Sequence, residues 1–167
     1  MNKMQKKFWI DSLILLVLCA CAQTSTPQLL EAGCTSPGIV ISSEIPKPAR
    51  GYPYPYRIYL PPCFSENDGL RYPILYLVPG LGGSPGTWFA AGLAGVVDEL
   101  ILSRDIPPLL IVTTESTDAD PQAETIYNDL VPHIENNYPV IDERQYHAVA
   151  GGSLGGIAAY RLLFQHP

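Results

Sequence analysis

The sequence predicts an α/β fold, a mostly parallel sheet with helices on both faces, ending at the helix that follows Ser153. Two observations carry that class. "YPILYLVPG" (72–80), "LLIVTT" (109–114) and "YHAVAGG" (146–152) are short, continuous apolar runs, as expected of strands covered on both faces. The segments between them carry apolar residues at helical spacing, so β and α alternate along the chain.

Residues 1–20 are set apart from the fold. "MNKMQKKFW" carries Lys3, Lys6 and Lys7 and is followed by the apolar run "LILLVLCA" (13–20), the pattern of a bacterial export signal. That run is too short to span a bilayer, which takes roughly twenty residues. Its end, Leu18-Cys19-Ala20-Cys21, resembles a lipobox, which implies lipid attachment at Cys21 and a membrane-anchored protein on the extracytoplasmic side. An ordinary secretory peptide cut nearby, or a membrane anchor left uncut, is the alternative. Asp11 and the second cysteine, Cys19, fit the lipobox pattern less well.

Residues 21–36 are small, polar and aperiodic and read as a tether. Export permits disulfides, and Cys34 and Cys63 form an even pair once Cys19 and Cys21 are set aside. They are expected to be bridged, the alternative being two buried thiols. The domain proper is expected over 37–167. Two β-like pieces open it, "IVISSEI" and "YPYRIYLPP". Tyr56, Ile58 and Leu60 alternate with Arg57 and Tyr59, the pattern of a half-buried strand, and Pro53 and Pro55 predict a place at or beyond a sheet edge.

A helix is expected over 87–105, with Leu93, Val96, Val97, Leu100 and Leu102 near helical spacing. A second is expected over 121–139, with Asp120 as N-cap, Pro121 at the first helical position, and Ile126, Leu130, Val131 and Ile134 inward. Pro132 should kink or break it. The polar loop "TESTDADPQ" (114–122) follows the C-terminal end of a strand, where open α/β sheets bind ligands.

Gly151-Gly152-Ser153-Leu154-Gly155 fits the nucleophile-elbow pattern G-x-S-x-G. A buried strand precedes it and a helix follows, with Ala158, Leu162 and Leu163 expected inward. This context points to Ser153 as a nucleophile, with Gly151, Gly155 and Gly156 relieving crowding at the turn. A glycine-rich structural turn is the plainer alternative. A serine nucleophile needs a base, and none of the three histidines suits. His166 lies at the far end of the same helix, roughly 20 Å away at about 1.5 Å per residue. His147 lies about 20 Å down the incoming strand at roughly 3.3 Å per residue, and His133 belongs to the preceding helix, with a solvated role as the default.

Several ordered features together resemble the esterase family of α/β-hydrolases that includes feruloyl and acetyl-xylan esterases, S-formylglutathione hydrolases, enterochelin esterases and mycolyltransferases. They are "YLPPCF", the strand–Pro79-Gly80–"LGG" turn with Trp88, "IPPLLIV", "LVPHIENNYP" and the elbow, within residues 38–167. The resemblance implies an α/β-hydrolase fold present only in its N-terminal part, with the acid and histidine of the triad beyond residue 167. It implies an oxyanion hole made by the N–H groups of Leu81 and Leu154, and chemistry needing neither metal nor organic cofactor. Relatives commonly carry His-Gly or Asp-Gly where this chain has Pro79-Gly80, so the turn loses a polar side chain and one donor.

The expected partner is a small-molecule or glycan-linked ester. The net charge of -6 provides no attraction for nucleic acid, and oligomeric state is left open. Tyr52, Tyr54, Tyr56, Trp88 and Phe89 are candidates for stacking on sugars or aromatic acids, with packing as the alternative. Two other readings are a degenerate hydrolase scaffold that binds envelope lipid or glycan without catalysis, and an acyltransferase using the same site.

Overall fold

The computed structural model describes residues 33–66, 69–117 and 119–166. The expected export signal, Cys21 and most of the expected tether lie outside the described residues. Five strands form one sheet in the order β1 (Ile39–Ile45), β2 (Tyr54–Leu60), β4 (Leu110–Thr114), β3 (Ile74–Val78), β5 (His147–Gly151). β4, β3 and β5 pair in parallel, whereas β2 is antiparallel to both β1 and β4. The sheet is therefore mixed, with β2 alone running against the other strands.

The connections explain the layers. A short helix α1 (Thr87–Ala90) and α2 (Leu93–Leu102) link β3 to β4 across one face, where Val97 and Ile101 pack on Tyr59 and Ile111. On the other face, α3 (Ala119–Thr125), a π-turn (Ile126–Leu130) and α4 (Val131–Asn137) lead toward β5, and α5 (Leu154–Gln165) follows it. Ile126, Leu130, Ile134, Ala158 and Leu162 pack there against Ile74, Tyr76, Val78, Leu110 and Val112. The parallel strands feed both layers because successive side chains alternate between faces.

Pro132 acts where it was expected to. It lacks the N–H that would close a helical bond four residues back, and the helix widens into the π-turn just before Val131 instead of breaking. The helix starts at Ala119, so Asp120 falls inside the first turn and is not its N-cap.

Four other expectations are corrected. Pro55 lies within β2, which has neighbours on both sides; it is tolerated because the β4 ladder starts only at Tyr56, leaving Pro55 opposite Glu44 of β1 alone. Tyr59 is buried on the second face instead of exposed, because α2 covers it. Val96 and Leu102 of α2 point outward, as does Leu163 of α5, since the buried stripes follow Val97–Ile101 and Ala158–Leu162. β5 is covered on one face only: Val149 packs against the core that includes Ala158 and Leu162 of α5, whereas Ala148 and Ala150 on the other face are exposed.

Cys34 and Cys63 are joined by a disulfide with a Cα–Cα distance of 6.0 Å. The bridge ties residue 34 to the segment after β2, so the chain is fixed to the domain three residues before the expected boundary at 37.

Candidate active site

β5 ends at Gly151 and α5 starts at Leu154, leaving two residues for the reversal. Ser153 occupies that turn with φ 52° and ψ −121°, a backbone conformation that suits glycine and strains an L-residue. Its side chain caps nothing and is solvent-exposed. Strain at an exposed, uncapped serine is what a presented nucleophile needs.

The surrounding glycines are required by contact. A Cβ on Gly155 would lie 2.3 Å from the carbonyl oxygens of both Val78 and Pro79. One on Gly151 would lie 2.5 Å from the backbone of Gly155 and 2.8 Å from Val78 O, and one on Gly156 would lie 3.2 Å from Gly151 O. The first turn of α5 thus sits directly on the end of β3. The Gly152 N–H donates to Val78 O at 3.2 Å and holds the two strand ends level.

The same closeness brings the turn after β3 to the serine. A Cβ built on Gly80 would lie 3.4 Å from Ser153 Cβ and 4.0 Å from its Oγ. Gly83 N–H donates back to Gly80 O at 2.9 Å, closing a tight turn around Leu81 and Gly82. The Gly155 and Gly156 N–H groups are bonded to Gly152 O and Ser153 O, whereas those of Leu81 and Leu154 have no acceptor among the described residues. Two unoccupied amides therefore flank the serine, one on each adjoining turn. Pro79 does not disturb this arrangement; its ring lies where a Cβ on Gly83 would be, 2.5 Å away.

Trp88 covers the elbow from the α1 side, its ring within 3.6 Å of a Cβ built on Gly152. Phe89 packs into the second core cluster. Tyr54 and Tyr56 are 1% and 2% exposed and so are packing residues, unavailable for stacking on a substrate. Tyr52 is exposed, but its ring carries the Arg50 guanidinium at 4.1 Å.

All three histidines are engaged elsewhere. His133 is half-buried on α4 with Nε2 3.1 Å from the Tyr56 hydroxyl, a packed role instead of a solvated one. His147 Nε2 lies 2.8 Å from Ile141 O, and its Nδ1 lies 3.8 Å from Glu135. His166, just past the end of α5, stacks on Tyr127 with centroids 3.6 Å apart and approaches Glu124 at 3.4 Å. A cavity of about 310 Å³ lies beside His147 and His166, toward the start of β5 and the end of α5, away from Ser153.

A polar cluster that the sequence pattern did not single out lies beneath the Leu81 turn. Ser116 and Gln122 are 1% and 5% exposed, with the Ser116 hydroxyl donating to Gln122 Oε1 at 3.0 Å. Arg50 reaches Glu115 at 2.7 Å and lies over the Tyr54 ring at 4.3 Å. Burial pushes the Tyr54 hydroxyl up to about 12, against the opposing influence of Thr114 and Gln122. The one sequence signal was the position of loop 114–122 after a strand end; the side-chain partners have no recognisable spacing.

Comparison with known proteins adds four findings. Residues 48–167 match the model of the family described as "Putative esterase". An endo-1,4-beta-xylanase/feruloyl esterase of Xylanibacter ruminicola is 27% identical over 126 residues, covering 66% of this chain and 17% of that protein. A solved ferulic acid esterase superposes with a TM-score of 0.72 at 28% identity, covering 79% of this chain and 55% of that one. The feruloyl esterase module of Clostridium thermocellum, solved with sinapinate, has a TM-score of 0.70 at 20% identity over 87% of this chain and 54% of its own, a likeness of fold. The chain thus spans about half of these solved structures and a smaller share of the xylanase relative.

Proposed function

This chain belongs to the "Putative esterase" family, and from that premise we propose that it is the nucleophile-bearing part of an exported serine carboxylesterase. The observation that carries the proposal is Ser153, held at φ 52° on an exposed elbow between two unbonded amides. Its Oγ attacks the ester carbonyl carbon while a base takes its proton. The Leu81 and Leu154 N–H groups receive the oxygen as it becomes negative, and the alkoxide leaves with a proton, giving an acyl-serine. Water then releases the acid by the same steps.

The base and its orienting acid come from sequence outside these 167 residues. Support comes from the engagement of all three histidines away from Ser153 and from the outer edge of β5, which pairs with no strand among the described residues and where a further strand can add. Names of the similar proteins make an aromatic acyl ester, such as a ferulate, the first substrate class to try. The Cys34–Cys63 bridge supports an oxidising compartment, and Cys21 is the proposed point of lipid attachment.

The test is labelling of the full-length protein by a fluorophosphonate probe, together with hydrolysis of p-nitrophenyl acetate and methyl ferulate. Both activities should be lost in Ser153→Ala. Absence of labelling in the unmutated full-length protein would favour the non-catalytic scaffold, which has no use for a strained serine. Product analysis with an added alcohol acceptor separates hydrolysis from acyl transfer.

A further inference from the structure

The proposed oxyanion turn is tied to the segment after β4 by a reciprocal pair of backbone bonds. Gly82 N–H donates to Ser116 O and Ser116 N–H donates to Gly83 O, both at 2.9 Å. This reciprocal pair joins the residues immediately after Leu81 to the segment after β4. Thr113 adds one bond farther along, from its hydroxyl to Pro85 O. The position of the Leu81 amide therefore depends on where Ser116 is held.

Ser116 is held by Gln122. The Ser116 hydroxyl donates to Gln122 Oε1 at 3.0 Å, and the Gln122 amide donates to Thr114 Oγ1 at 3.3 Å and to the Glu115 carbonyl. One side chain on α3 thus binds three consecutive residues at the end of β4. It is 5% exposed, so these bonds form where water does not compete for them. Glu115 is fixed from its other side by Arg50 at 2.7 Å. A buried amide that binds three successive residues fixes a loop's path more tightly than backbone contacts alone.

We infer that Gln122 is a positioning residue for the oxyanion hole, acting through Ser116 on Gly82 and Gly83 to set the Leu81 N–H. The inference rests on the esterase reading above and extends it to a residue that touches neither substrate nor nucleophile. Oxyanion donors stabilise charge that develops only in the transition state. Loosening Gln122 should therefore lower kcat and leave KM nearly unchanged, and misplacing such a donor by about 1 Å loses on the order of 100-fold.

The experiment compares full-length unmutated protein with Gln122→Met and Ser116→Ala, and with Ile101→Val as a destabilised control. Ile101 is fully buried on the inner face of α2, in the second core cluster, away from the loop. Three quantities are read: hydrogen exchange at the Gly82 and Ser116 amides, kcat and KM for p-nitrophenyl acetate, and the fluorophosphonate labelling rate. Gln122→Met should speed exchange at both amides at least about tenfold and lower kcat and labelling together by about 10- to 100-fold. Ser116→Ala should shift all three in the same direction by less, and it stands in if Gln122→Met does not fold. Ile101→Val should leave kcat unchanged.

Unchanged Gly82 exchange overturns the mechanical link. Faster exchange with unchanged kcat overturns the catalytic role, as does an equal kcat loss in Ile101→Val. Unmutated protein that neither labels nor hydrolyses refutes the esterase reading itself, and exchange at Gly82 then still reports separately on the Gln122–Ser116 link.

Discussion

Replacing Gly155 by alanine sets two physical effects of opposite sign against each other. Gly155 lies in the first turn of α5, and helix propensity alone favours alanine over glycine by roughly 0.5–1 kcal/mol. The new Cβ, however, would stand 2.3 Å from the Val78 and Pro79 carbonyl oxygens and 2.7 Å from Val78 C. These are backbone atoms of β3 and the turn after it, with no rotamer to move aside. Relief requires α5 to withdraw from β3 by about 1 Å, an overpacking cost of roughly 1–3 kcal/mol or more. Contact should win, and Gly155→Ala should destabilise by a net 1–2 kcal/mol, roughly the difference of those two terms. Gly95, in α2, supplies the matched control, since a Cβ there meets nothing within 4 Å. Gly95→Ala should stabilise by roughly 0.5–1 kcal/mol. Urea unfolding of the full-length protein reads both changes as midpoint shifts of opposite direction. A Gly155→Ala protein as stable as Gly95→Ala would refute the packing argument and with it the close seating of the elbow on β3.

Three further outcomes follow from particular residues. Ser153→Gly should abolish probe labelling yet raise stability by roughly 1 kcal/mol, because glycine accepts φ 52° and no capping bond is lost; an unchanged or lower unfolding midpoint would contradict the strain. Cys34→Ser opens a loop with a sequence separation of 29 and should lower stability by roughly 3–4 kcal/mol in the chain-entropy model, measured against the unmutated protein without reductant. Alkaline titration should destabilise the fold in part through Tyr54, whose hydroxyl burial pushes up to about 12; burial also raises the hydroxyls of Tyr59, Tyr76 and Tyr138. A phenol titrating higher in the folded state contributes its stability in full below the unfolded value near 10 and loses it as pH rises toward 12, a change of roughly 2–3 kcal/mol. Tyr54→Phe should make that part of the curve shallower, the remaining slope belonging to Tyr59, Tyr76 and Tyr138, and a superimposable curve would show that Tyr54 does not contribute.

The α/β class, the order of the elements and the serine elbow were legible because each is written in local pattern. Apolar runs of five or six residues mark the strands, helical spacing marks the connections, and G-x-S-x-G marks a turn that must be tight. Pro132 also declared its effect from chemistry alone, since a missing N–H disturbs any helix. Burial on individual faces was less legible. Tyr59, Leu163 and Val96 all fit their periodicities, yet their exposure depends on which neighbours arrive across the sheet.

By itself, the sequence determined that Ser153 lies on the turn between a strand and a helix, and that no histidine in the chain lies near it along either element. Only the tertiary structure decided why Gly155 has to be glycine, because the atoms that forbid a Cβ belong to Val78 and Pro79, more than seventy positions away. The same holds for the support of the Leu81 turn. Gln122, Ser116 and Gly82 share no motif, and their connection exists because parallel pairing of β3 with β4 brings the ends of both strands side by side. Local pattern fixes torsions and faces, whereas the distances between turns are set by pairing among segments remote in sequence.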